Sequence, residues 1–183
     1  MNETELVALR KGWKDCRAIK DGMIRRNEYG SFALRNMDSL LNELELEHKK
    51  MEVVKSSKTM KEVRLGFANI LLTVISQIGR KFFGHNGETS RLELDKMGRV
   101  WFVDSHSNKR IYTHHTRDRW KGFTQGGTLR CLIIGLRNYI TNGEQPHPKT
   151  FGPWPDWYCN GDLWGYGDAM EKVRCVAQNL AIV

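Results

Sequence analysis

Basic and aromatic residues interleave between positions 99 and 121: Arg99, Trp101, Lys109, Arg110, Tyr112, Arg117, Arg119 and Lys121. Guanidinium and ammonium groups pair with phosphate oxygens, and flat rings stack on bases, so this mixture suits nucleic-acid binding. The net charge lies in the same stretch. Residues 51–121 hold 14 Lys and Arg against 7 Asp and Glu, whereas the rest of the chain holds 15 against 14. Charge concentrated on one segment in this way points to an anionic partner, DNA or RNA.

Just after this stretch comes Phe123-Thr124-Gln125-Gly126-Gly127-Thr128-Leu129-Arg130. Glycines ahead of a helix let backbone N–H groups approach an anion, and the helix N-terminus adds partial positive charge. Gly126, Gly127, Thr128 and Arg130 are therefore a candidate phosphate-binding turn. They match neither the P-loop nor the dinucleotide fingerprint, and an ordinary turn capped by Thr128 is the competing reading.

Three of the six tryptophans, Trp154, Trp157 and Trp164, fall within eleven residues of a Pro- and Gly-rich segment. A loop of this kind either packs onto the core or grips a protein partner, since Trp and Tyr are favoured at interface hot spots. Asp156, Asp162 and Asp168 within and after it read as turn and cap residues.

His85, His106, His114, His115 and His147 are the remaining candidates. No H-x-x-x-H or H-E-x-x-H pattern exists, and His114 and His115 would point to opposite faces of a regular strand. A zinc site with a distant ligand such as Cys159, or a histidine acting as a general base with Asp104 or Asp118, is the enzymatic alternative. No matched nucleophile or second acid accompanies it, so no catalytic residue, metal ligand or cofactor is assigned. Cys16, Cys131, Cys159 and Cys175 are widely spaced and read as reduced thiols, Cys131 as a small hydrophobe.

The elements that position these residues follow from periodicity. Leu6, Leu9, Trp13 and Cys16 mark a helix over 3–20. A second runs over 31–54, capped by Ser31, with Leu34, Met37, Leu40, Leu41, Leu44 and Met51 as its stripe. A third, capped by Thr59, extends from Met60 to about Phe83 on Val63, Phe67, Ile70, Leu71, Val74 and Ile78. Gly84-His85-Asn86-Gly87 breaks that pattern. Residues 91–95, 99–103 and 109–114 then alternate with period two and form an antiparallel meander. Val100, Phe102 and Ile111 share its inner face, leaving Trp101, Tyr112 and His114 outside. Two helices follow, one from Thr128 on Leu129, Leu132, Ile133, Leu136 and Ile140, closed by Asn142-Gly143, and one from Ala169 to about Leu180 capped by Asp168. A three-stranded sheet followed by a helix resembles, in architecture and not in motif, the arm-binding domains of tyrosine recombinases.

The fold class is α+β: a helical N-terminal half, residues 1–84, packed on a three-stranded antiparallel sheet followed by two helices, residues 85–183, sharing one core. No apolar run is long enough to span a bilayer, and the acidic start Met1-Asn2-Glu3-Thr4-Glu5 lacks a signal pattern, so a cytoplasmic protein without membrane contact is expected. The functional expectation is a non-enzymatic nucleic-acid-binding or regulatory protein. The alternative is an inhibitor or adaptor, of the type made by phages and mobile elements, that grips a protein through the Trp154, Trp157 and Trp164 loop.

Overall fold

Thr59 starts the helix around which the sheet is built. Its hydroxyl accepts the Glu62 backbone N–H while the Glu62 carboxylate accepts the Thr59 N–H, a reciprocal cap that satisfies donors left free at a helix start. The computed structural model describes residues 28–115 and 120–183 together with Thr4, Val7, Arg10 and Lys11, and over 28–38 only the backbone. The elements are α1 (Glu28–Ser56), α2 (Met60–Gln77), β1 (Gly84–His85), β2 (Glu88–Thr89), β3 (Arg91–Leu94), β4 (Val100–Val103), β5 (Arg110–Tyr112), α3 (Gly127–Asn142) and α4 (Ala169–Asn179), with short 3-10 turns at Pro148–Phe151 and Cys159–Gly161. This is an α+β fold: helices, then sheet, then helices.

Contacts divide the chain into units of residues 1–55 and 56–183, so α2 belongs with the sheet and not with the helices before it. In the first unit, Thr4, Val7, Arg10 and Lys11 are helical, and Leu6, Leu9, Trp13 and Cys16 lie outside the described residues. Arg10 pairs with Glu45 at 2.5 Å and donates to Asn42 at 3.0 Å. Two expectations fail here. Ser31 is no cap, because α1 already begins at Glu28. The covered face runs through Leu41, Glu45 and His48, leaving Leu40, Leu44 and Met51 exposed.

In the second unit α2 buries Ala68, Leu71, Leu72 and Ile75, a face turned by about one residue from the expected stripe. Asn69, on its flank, explains the turn. Its side-chain amide donates to the Leu92 carbonyl at 3.0 Å, and its oxygen accepts the Leu92 N–H at 2.8 Å. It thereby supplies the edge strand β3 with the pairing that another strand would give. The helix stops at Gln77, short of Phe83. Arg80 N–H donates to the Trp164 carbonyl at 2.8 Å, and Gly79, at φ +50°, lies against that carbonyl where no side chain fits.

The segment read only as a break is itself a hairpin. β1 and β2 pair antiparallel across Asn86 and Gly87, both at positive φ, as a tight two-residue turn requires. The meander β3-β4-β5 is as expected. Leu92, Phe102 and Ile111 stand in register on its inner face, and with Val100 they are buried. α2 packs on β3, α3 packs on β4, and α2 also packs on α3 and α4. α3 buries Leu129, Leu132, Ile133, Leu136 and Ile140 as expected, adds Tyr139, and closes on Gly143 in the left-handed conformation.

Candidate nucleic-acid interface

Strand parity turns a second set of side chains outward. Glu93, Trp101 and Tyr112 stand side by side, flanked by the row Arg91, Val103, Arg110. Trp101 and Tyr112 are half-buried, with ring centres 5.0 Å apart. The Arg110 guanidinium lies 4.6 Å from the Trp101 ring centre and that of Arg99 lies 5.6 Å from Tyr112, within cation–π range. β5 ends at Tyr112, two residues before the expected limit, because the chain turns at Thr113, whose hydroxyl donates to the Val100 carbonyl at 2.6 Å. Freed from strand geometry, His114 and His115 do not diverge. Both rings sit against Tyr112, at 5.2 and 5.1 Å. Burial, followed by the charge of Arg137, holds His114 below its ordinary pKa, so at neutral pH it contributes a ring rather than a charge.

The arginines on this face are already partnered. Arg99 Nε donates to Asp95 at 2.7 Å, Arg110 Nε contacts Glu93 at 3.2 Å and Arg91 pairs with Glu93 at 2.9 Å. The Asp95 carboxyl lies well below the usual carboxylate range. The Arg99 backbone N–H is the largest cause and burial opposes it, while Trp101 Nε1, the Arg99 side chain and the Met97 N–H add to the lowering. Each guanidinium has five N–H donors, so one contact through Nε leaves the terminal groups of Arg99 and Arg110 able to meet a phosphate.

Lys109 does not join this cluster. It precedes β5 with the parity of the inward-facing Ile111, and its stem lies across Gly122, beside Lys121. Arg117 and Arg119, like Asp118, lie outside the described residues.

At the phosphate-turn candidate, Gly126 is the helix cap and Thr128 is not. The Thr128 hydroxyl is instead hydrogen-bonded to the Tyr158 hydroxyl at 2.5 Å, which ties this turn to the Trp-rich segment. Arg130 bends back toward Gly127, and its Nε is buried without a hydrogen-bond partner.

The three tryptophans of that segment separate. Trp164 is 2% exposed, stacks on Phe151 and donates Nε1 to the Phe151 carbonyl at 3.3 Å, so it is core and not a contact residue. Trp154 is half-buried between Trp164 and Tyr158. Trp157 is 84% exposed, and Tyr166, further along, is 78% exposed. Asp162 accepts the Trp164 and Gly165 N–H groups, as its reading as a turn residue requires. Asp168 is no side-chain cap and pairs with Lys172 at 3.0 Å instead.

Among the described residues no three His, Cys, Asp or Glu side chains converge as metal ligands. Asp104 is buried, but it receives N–H groups from His106, Ser107 and Thr124 and the Thr124 hydroxyl rather than an imidazole, so it holds a turn and does not orient a base. Cys131, Cys159 and Cys175 are free thiols, and Cys131 is exposed, on the side of α3 away from its apolar stripe. No helix among the described residues is long and apolar enough to cross a membrane.

The architecture is that of a small α+β protein presenting one basic and aromatic sheet face. The chain belongs to the YoqU family, whose model matches residues 59–183. That match begins three residues inside the unit that starts at Ser56. No curated protein and no solved structure matches the chain.

Proposed function

We propose that this protein is a non-enzymatic nucleic-acid-binding or regulatory protein whose contact surface is the outer face of the meander. One observation carries the reading: Trp101 and Tyr112 form a partly exposed aromatic pair with Arg110 over one ring and Arg99 over the other. A ring pair of this kind offers a stacking surface to unpaired bases, and guanidinium groups at its margin suit the phosphates between them. Glu93 and Asp95 hold the arginines in place and also lower the positive potential, so stacking is expected to dominate over charge.

The test is fluorescence anisotropy with short single- and double-stranded DNA and RNA over a salt series. Single strands should bind at low salt and weaken as salt rises. Trp101→Ala should cost about 1–3 kcal/mol of binding, the range of one lost base stack. Absence of any affinity at low salt overturns the reading.

A second reading rests on Trp157. A tryptophan left 84% exposed is the kind of side chain that anchors a protein partner. It supports an inhibitor or adaptor gripping through Trp157, with Trp154 behind it. A pull-down from nuclease-treated lysate that loses its captured protein on Trp157→Ala favours this second reading.

A further inference from the structure

We propose that His85 and His106 form a chelating site for a divalent transition-metal ion. Their Nδ1 atoms lie 3.1 Å apart. Two imidazole nitrogens bound to one ion at about 2.0–2.1 Å, at angles from square to tetrahedral, stand about 2.9–3.4 Å apart, and the observed separation falls within that bite. The rings cross at 85° with their centres only 4.3 Å apart. In the metal-free protein one Nδ1–H donates to the other Nδ1, and an ion bound by both rings would take the place of that shared proton.

The two residues are 21 positions apart, and the structure brings them together by a buried clamp. His85 ends β1, beside the Asn86-Gly87 turn. His106 sits in the turn after β4, its N–H held by Asp104. The two turns are joined beneath the rings. Ser105 Oγ donates to the Phe83 carbonyl at 3.2 Å, Ser90 N–H donates to the same carbonyl at 2.7 Å, and Ser90 and Ser105 hydrogen-bond to each other. Ser90, Ser105 and Phe83 are all buried. A pair positioned by the core rather than by its own flexibility loses little freedom on binding an ion.

Neutral imidazole prefers ions of the Ni²⁺, Cu²⁺ and Zn²⁺ group over Mg²⁺ or Ca²⁺. Two protein ligands leave coordination positions open to water or to an external donor. His85 also lines a cleft of about 390 Å³ with Gln77, Lys81, Glu88 and Thr89, which gives such a donor room to enter.

Isothermal titration calorimetry of the full chain with Ni²⁺ tests the assignment. One equivalent should bind, and His85→Ala and His106→Ala should each weaken it at least about tenfold. His114→Ala, His115→Ala and His147→Ala should leave it unchanged, and Mg²⁺ should give no heat. Both substituted side chains stand at surface turns, and unchanged circular dichroism confirms that the variants fold. Paramagnetic broadening by Cu²⁺ should reach the His85 and His106 imidazole signals first. Absence of saturable Ni²⁺ binding, or binding that survives both substitutions, overturns the proposal.

Discussion

Four donor groups converge on the carboxylate of Asp104: the N–H groups of His106, Ser107 and Thr124 and the Thr124 hydroxyl. Burial pushes this carboxyl upward, but the hydrogen bonds from Thr124, Ser107 and His106 outweigh it, and the pKa ends below the ordinary aspartate value. A folded-state pKa below the unfolded one stabilises the protein fully above about pH 4 and loses that contribution as the pH falls through the folded value. Asp104→Ala strands these donors and should cost about 3 kcal/mol in urea denaturation at pH 7. The difference from the wild type should narrow in acid. Two tryptophans give a sharper contrast. Trp164→Ala should cost about 3–5 kcal/mol, since it empties a core site. Trp157→Ala should stay within about 0.5 kcal/mol, since its ring meets mostly solvent. Equal losses in thermal melts would show that the two side chains share one environment.

At the scale of elements, the ends of the helices separate what is local from what is imposed. The reciprocal cap of α2 is a local device, so Thr59→Ala should cost about 1 kcal/mol wherever the helix packs. α3 closes on Gly143 at φ +76°, and the Arg64 guanidinium occupies the place where a side chain at that position would stand, near the negative end of the helix. Gly143→Ala should therefore cost at least about 1–2 kcal/mol from backbone strain alone, read as a lowered melting midpoint. The end of α2 is different. Its last turn yields to the Trp164 carbonyl, contributed by a segment more than 80 residues away. The 3.6-residue period continues past Gln77 in the sequence, but the helix does not.

For the whole molecule, the boundary between Lys55 and Ser56 carries a prediction. The second unit holds the meander, α2, α3 and α4, and it encloses the buried residues Leu71, Leu72, Phe102, Ile133 and Leu136. A chain of residues 56–183 should fold alone, with cooperative thermal unfolding and sheet signal in circular dichroism, and the family match over 59–183 agrees with that division. It should also retain the nucleic-acid affinity proposed for the outer face, because Arg99, Trp101, Arg110 and Tyr112 all lie within it.

The sequence by itself determined the meander, the parity that parts Phe102 and Ile111 from Trp101 and Tyr112, the buried stripe of α3 and its glycine stop. Each depends on residues within a few positions of one another, where period and turn chemistry act directly. The Asn86-Gly87 pair was equally legible as a hairpin signal, although its glycines and polar neighbours read first as a break. Tertiary structure alone decided which of Trp154, Trp157 and Trp164 is core, which carboxylates hold Arg99 and Arg110, that Asn69 completes an edge strand, and that His85 meets His106. Those pairings are made where distant elements close on one another, and no spacing along the chain records which side chains will be left facing across the gap.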